Sequence, residues 1–216
     1  MTEVSAIENG FPNVSRETWE RLEIMVALLR KWQPVINLVS KASLAEVWTR
    51  HFADSLQLLE HVPSSAKSLV DLGSGAGFPG LVLAAALVER GTEVHLLEGD
   101  SRKCGFLREA ARAMKVSVHV HNGRIEQLLT SGTIKGDVVT ARALASTADL
   151  LALAHPLLEK GAVGLFLKGQ SVETELTDAA KSWNINHSLV PSISDPRSRV
   201  LVIHSAEPLQ AEPGRR

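Results

Sequence analysis

The stretch Ser68–Leu87, SLVDLGSGAGFPGLVLAAAL, constrains the fold more than any other part of the chain. A short apolar run of β-forming residues passes into a glycine cluster and then into small and aliphatic residues suited to a helix. Glycines in such a turn allow tight backbone geometry and let ligand atoms approach the main chain closely. Strand, glycine turn and helix in that order open an α/β unit whose ligands sit at the carboxyl ends of parallel strands. Gly75, Gly77 and Gly80 spell G-x-G-x-x-G, the dinucleotide fingerprint, whereas Gly73, Gly75 and Gly77 spell G-x-G-x-G with Asp71 just ahead. The two spellings imply different cofactors.

The alternation continues down the chain. Apolar runs at 68–72, 93–98, 116–120, 137–141 and 163–168 are interleaved with helix-type segments at 80–90, 101–114, 147–159 and 171–182. This predicts a mostly parallel sheet with helices on both faces. Pro156, late in the third helix, should kink or end it. Runs at 187–190 and 199–204 are separated only by PSISDPRS, too short for a crossover helix, and predict an antiparallel edge. Before Ser68, Trp19, Leu22, Val26 and Leu29 recur at helical spacing behind Ser15 as N-cap, and Pro34 ends that helix. LAEVWTRHFADSLQLLEHV reads as a second helix, with Val47, Phe52, Ser55, Leu56 and Leu59 inward. The expected organisation is a helical extension at 1–65 packed on the core, a Rossmann-like domain at 66–207 and a frayed tail at 208–216.

Composition narrows the function classes. The 216 residues are 44% hydrophobic and 22% charged, with a net charge of −1, which argues against coating nucleic acid by charge alone. No run approaches the roughly 20 apolar residues of a membrane helix, and the N-terminus lacks the basic-then-apolar pattern of a secretory signal. The lone cysteine, Cys104, forms neither an internal disulfide nor a multi-cysteine metal site. A cytoplasmic protein with no membrane role and no metal is expected, and nothing demands more than a monomer.

Glu98 closes the second strand, where an acid accepts hydrogen bonds from ribose hydroxyls, and it suits either cofactor. Three features favour S-adenosylmethionine. Asp71 suits a ligand carrying ammonium and sulfonium charge, whereas a pyrophosphate on the helix start disfavours a nearby acid. Phe78-Pro79 crowds positions that the dinucleotide fingerprint leaves undemanding. The fourth strand ends in DVVTARA, a polar, charged cluster across the switch point from the glycine turn. A nicotinamide-dependent oxidoreductase and a non-catalytic, cofactor-binding regulator stay open as alternatives.

Beyond these local patterns, INLVS, RHFADSL, DLGSGAGFPGLVLA, LLEGDSRKCGFLREA, GRIEQL, VTARALA and LKGQ occur in one order between about residues 36 and 170. In these segments the chain resembles the bacterial RsmG family, also called glucose-inhibited division protein B. It departs from the family at SRKCGFL, where Lys-Arg is usual, shifted by one position. The resemblance implies a class I S-adenosylmethionine methyltransferase fold, and methylation of guanosine N7 in 16S ribosomal RNA within the small subunit or an assembly intermediate. It also implies cofactor contacts from Gly73, Phe78, Ile125, Glu126 and Arg142, beside Asp71, Gly75, Gly77 and Glu98 from the local reading.

Guanine N7 carries a lone pair and no proton, so methyl transfer to it needs positioning rather than a general acid or base. No residue is therefore assigned as catalytic acid or base. Arg142, just past the fourth strand, and Lys168, ending the fifth, are the expected positioning cations at the carboxyl edge of the sheet. Arg50, His51 and Arg124, with Lys168, are candidates for RNA oxygens, and Asn37 for a substrate contact after the first helix. An alternative partner for Arg50 is Asp54, one turn on.

Overall fold

The computed structural model of the protein describes residues 7–209. The alternating region forms one seven-stranded sheet: β1 (Ser68–Leu72), β2 (Glu93–Glu98), β3 (His119–Asn122), β4 (Val138–Arg142), β5 (Val163–Lys168), β6 (Trp183–Pro191) and β7 (Arg199–Pro208). The spatial order is β3-β2-β1-β4-β5-β7-β6. The first five strands pair in parallel, and β7 enters antiparallel between β5 and β6. The chain runs outward from β1 to β3 and then returns to β4 beside β1. That reversal opens a crevice at the carboxyl ends of β1 and β4.

The helices are α1 (Arg16–Trp32), α2 (Lys41–Ala45), α3 (Asp54–Leu56), α4 (Gly80–Ala86), α5 (Ser101–Met114), α6 (Ile125–Thr130), α7 (Thr147–Leu158) and α8 (Val172–Ala179). Successive strand residues point to opposite faces, and β1 divides accordingly. Leu69 joins a core shared with α1, α4 and α5, while Val70 and Leu72 join a second core with α7 and α8. The Ser15 hydroxyl caps α1 by accepting from Thr18 N–H at 3.2 Å. Trp19, Leu22, Met25, Val26 and Leu29 are all buried in the first core, each burial being worth about 1.5–3 kcal/mol. The N-terminal helices thus share their apolar core with the sheet. No described helix is long and apolar enough to cross a membrane.

Three expectations are corrected. The single helix across 44–62 is instead α2, a π-helical turn at Trp48–Ala53, α3 and a 3₁₀ turn at Gln57–His61. The wide turn brings Trp48 and Phe52 together, ring centroids 4.6 Å apart. The tightened turn then makes Leu58 the fully buried residue and leaves Leu59 half-buried. The third strand starts at His119, not at 116, because Val116 N–H bonds back to Ala111 O and finishes α5. The edge strands β6 and β7 are longer than expected, since an exposed sheet face tolerates the polar residues flanking the apolar runs. Pro156 lies in the last turn of α7. Beyond Leu209, the expected tail lies outside the described residues.

Candidate active site

The turn after β1 is shaped by Gly73, Gly75 and Gly77, all with positive φ (67°, 55° and 85°). It is pinned to the end of β2: Ser74 N–H donates to Leu97 O at 3.0 Å, and Gly75 N–H to Glu98 Oε2 at 2.8 Å. Glu98 Oε1 accepts from Asp100 N–H at 2.7 Å. Each Glu98 oxygen therefore holds one backbone donor and keeps its second lone pair. Asp71 lies beneath the turn and is fully buried. Its Oδ1 accepts from the Thr140 hydroxyl at 2.7 Å, and burial raises its pKa to about 6. Gly80 makes room for it: a Cβ there would stand 2.5 Å from Asp71 Oδ2.

Above this turn, a cavity of about 640 Å³ opens at the carboxyl ends of β1, β4 and β5. Its volume falls in the range of small-molecule sites. The glycine turn forms one wall, with Phe78. The segment after β4 and the end of β5 form another, with Arg142 and Lys168. Leu38–Ser40 come from the loop between α1 and α2, Arg50, His51 and Asp54 from the turns that follow α2, Ser194, Asp195 and Ser198 from the β6–β7 connection, and Arg199 from the start of β7.

Arg142 organises the centre. Its guanidinium sits over the Phe78 ring, Cζ 5.0 Å from the centroid. Nη1 donates to Arg50 O at 3.3 Å and makes a short contact with His51 Nδ1. The His51 ring stacks on the same Phe78 ring, at 4.7 Å and 22°. Burial, then the charges of Arg142 and Arg50, lowers the His51 pKa to about 3. The imidazole is therefore neutral at physiological pH. Because a guanidinium only donates, Nδ1 is the acceptor and the proton resides on Nε2. Nε2 is buried and has no partner among the described residues.

Lys168 is also at the cavity wall, but it is engaged. Nζ pairs with Glu175 Oε2 at 2.5 Å and donates to Ala145 O at 3.0 Å. Burial favours the protonated form of Glu175, but the bonds from Lys168, Ser171 and Thr147 outweigh it and hold the pKa at about 2. Arg50 pairs with Asp195 at 3.3 Å, not with Asp54 one turn on. Asp54 Oδ1 instead accepts from the Ser194 and Ser192 hydroxyls at 2.7 and 3.1 Å and from Gln57 Nε2 at 2.7 Å. Gln57 Oε1 accepts from Ile193 N–H at 3.0 Å. The β6–β7 connection is thus strapped to the N-terminal helices.

The structure brings Gly73, Gly75, Phe78, Arg50, His51, Arg142 and Lys168 around one cavity. Asp71, Gly77 and Glu98 support the turn from outside the lining. Ile125 packs on the second core. Glu126 is exposed and lies 3.9 Å from Arg124, itself 78% exposed. Both follow Gly123, whose N–H bonds Glu98 O at 3.1 Å, so they flank the end of β2. Asn37 is exposed, beside the lining residues Leu38 and Val39, whose loop Gln33 pins through both N–H groups and Val39 O. Sequence reasoning missed Asp54 in the cavity wall, Glu175, and the whole 192–199 connection. RHFADSL contained Asp54, but nothing local marks partners more than a hundred residues away.

A sheet of this order, with a glycine turn after β1 and an antiparallel β7, defines a class I methyltransferase fold. An O-methyltransferase from Bacillus cereus, solved in complex with SAH, shares it with a TM-score of 0.57 at 14% identity, over 93% of this chain and 97% of that one. The chain belongs to the rRNA small subunit methyltransferase G (GidB) family, whose model matches residues 18–201. Ribosomal RNA small subunit methyltransferase G of Methylobacterium radiotolerans is 52% identical over 189 residues, covering 87% of this chain and 88% of that protein. The protein of the same name from Parvibaculum lavamentivorans is 51% identical over 209 residues, covering 96% and 92%. Family membership supports the methyltransferase reading over the dehydrogenase alternative.

Proposed function

We propose that the protein transfers a methyl group from S-adenosylmethionine to N7 of a guanosine in the 16S rRNA of the small ribosomal subunit, acting as a cytoplasmic monomer. The observation that carries this is the cavity at the switch point, walled on one side by a close-approach glycine turn and on the other by Arg142 and His51. The residues fit the cofactor. Gly73 and Gly75 offer a side-chain-free cradle, Phe78 an apolar face, and Glu98 closes β2, the strand whose end receives ribose hydroxyls in this fold class. Ile125 and Glu126 flank that strand end and would border the adenine. When bound, S-adenosylmethionine supplies an electrophilic methyl group.

The chain's own residues then have a positioning task. N7 has no proton to lose, so no base is required, and placing it at near-attack distance accounts for much of the rate. Arg142 and His51 supply donors fixed by their mutual contact, and Arg50 and Lys168 add cations whose carboxylate partners hold them in place. Arg124 and Asn37 lie outside the cavity, where an extended RNA would reach them. The test is labelled-methyl transfer into small subunits from a strain lacking the gene, followed by mass spectrometry of nucleosides. The expected product is 7-methylguanosine, and the expected titration shows S-adenosylmethionine binding without NAD binding. Absence of label, or methyl on another atom, overturns the proposal.

A further inference from the structure

His51 presents a donor with nothing to receive it. Its Nε2 is shielded from solvent and unpartnered, although the ring lies in the cavity wall. A buried, unpaired donor costs about 1–3 kcal/mol, and native proteins rarely keep one without an occupant to satisfy it. Two contacts prevent the ring from exchanging roles. Arg142 donates to Nδ1, and stacking on Phe78 fixes the ring plane. Nε2–H is therefore a donor that does not become an acceptor.

We propose that His51 makes this site specific for guanine over adenine, its Nε2–H donating to purine O6. The inference rests on the proposed N7 methylation. With N7 facing the methyl donor, the neighbouring atom on that base edge is O6 in guanine, an acceptor, and the N6 amino group in adenine, a donor. A locked N–H pairs with the first and meets the second donor to donor. A site that hydrogen-bonds one substrate group discriminates strongly against its counterpart, because its own buried polar atom is left unpaired.

The experiment uses small subunits reconstituted with rRNA carrying either guanosine or 2-aminopurine at the target position. 2-Aminopurine keeps N7 and lacks O6. Initial rates of labelled-methyl transfer are compared for the wild type, His51→Phe and His51→Leu. The change in N7 basicity is common to all three enzymes and cancels in the comparison. The guanosine-to-aminopurine rate ratio is expected to be about tenfold or more higher for the wild type than for whichever variants fold. S-Adenosylmethionine affinity by calorimetry should stay within about twofold. Equal ratios in wild type and variant overturn the inference while leaving N7 methylation intact. A tenfold loss of cofactor affinity also overturns it, because the donor then serves the cofactor. A wild type that methylates neither substrate takes down the proposed function as well.

Discussion

Arg142 illustrates how one side chain holds a site together by three different contacts. It stacks on Phe78, donates to the Arg50 carbonyl and sets the His51 tautomer. Lysine has no planar fork and cannot reproduce this combination. Arg142→Lys is expected to lower kcat/KM for methyl transfer by about tenfold or more, with a melting temperature close to that of the wild type. Asp71 makes a different prediction. Its folded pKa, about 6, is raised above the ordinary 3.8, so the folded state binds its proton more tightly than the unfolded state. The cost of its charge is absent below about pH 4 and fully present above about pH 6. Between pH 4 and pH 7, the stability difference between Asp71→Asn and the wild type should therefore move on the order of 2–3 kcal/mol in the variant's favour, read by urea unfolding. The position of Arg142 was legible in the sequence, since a strand's carboxyl end is where ligands meet this fold. The surroundings of Asp71 were not, because an acid before a glycine turn looks the same whether it faces a ligand or a buried threonine.

Elements with local periodicity were legible: the order of strands and helices, the Ser15 cap and the antiparallel edge all follow from runs and spacers. The segment 44–62 was not, because its winding changes from π-helical to 3₁₀ according to what Trp48, Phe52 and Leu58 pack against. The packing of α4 on the sheet can be tested at Gly80. Gly80→Ala forces a Cβ to 2.6 Å from both Asp71 Cβ and Leu96 Cδ2. It should cost about 1–3 kcal/mol in urea unfolding. The hairpin strap has its own test. Replacing Ser192 and Ser194 together by alanine leaves Gln57 as the remaining side-chain donor to Asp54 among the contacts described. The double variant should raise KM for small subunits while S-adenosylmethionine affinity stays within about twofold. The affected wall of the cavity is far from the glycine turn in sequence and carries none of its hydrogen bonds.

The whole molecule is nearly neutral, and two of the cations around the cavity, Arg50 and Lys168, are already paired with carboxylates. Lys103, Arg142 and Arg199, which also line the cavity, have no salt-bridge partner among the described residues and remain to displace counterions from RNA. With about three such cations on phosphates, small-subunit binding is expected to weaken by roughly 40-fold between about 50 and 200 mM salt, far less than for a protein that grips many phosphates. Filter binding across a salt series measures this slope. The strap joining Asp54 to Ser192 and Ser194 spans 138 and 140 residues of chain. During synthesis, a nascent polypeptide that has already emerged through the fifth strand still lacks this closing stitch. A chain cut short before its final hairpin therefore lacks the wall of the cavity that Ser194, Asp195, Ser198 and Arg199 supply.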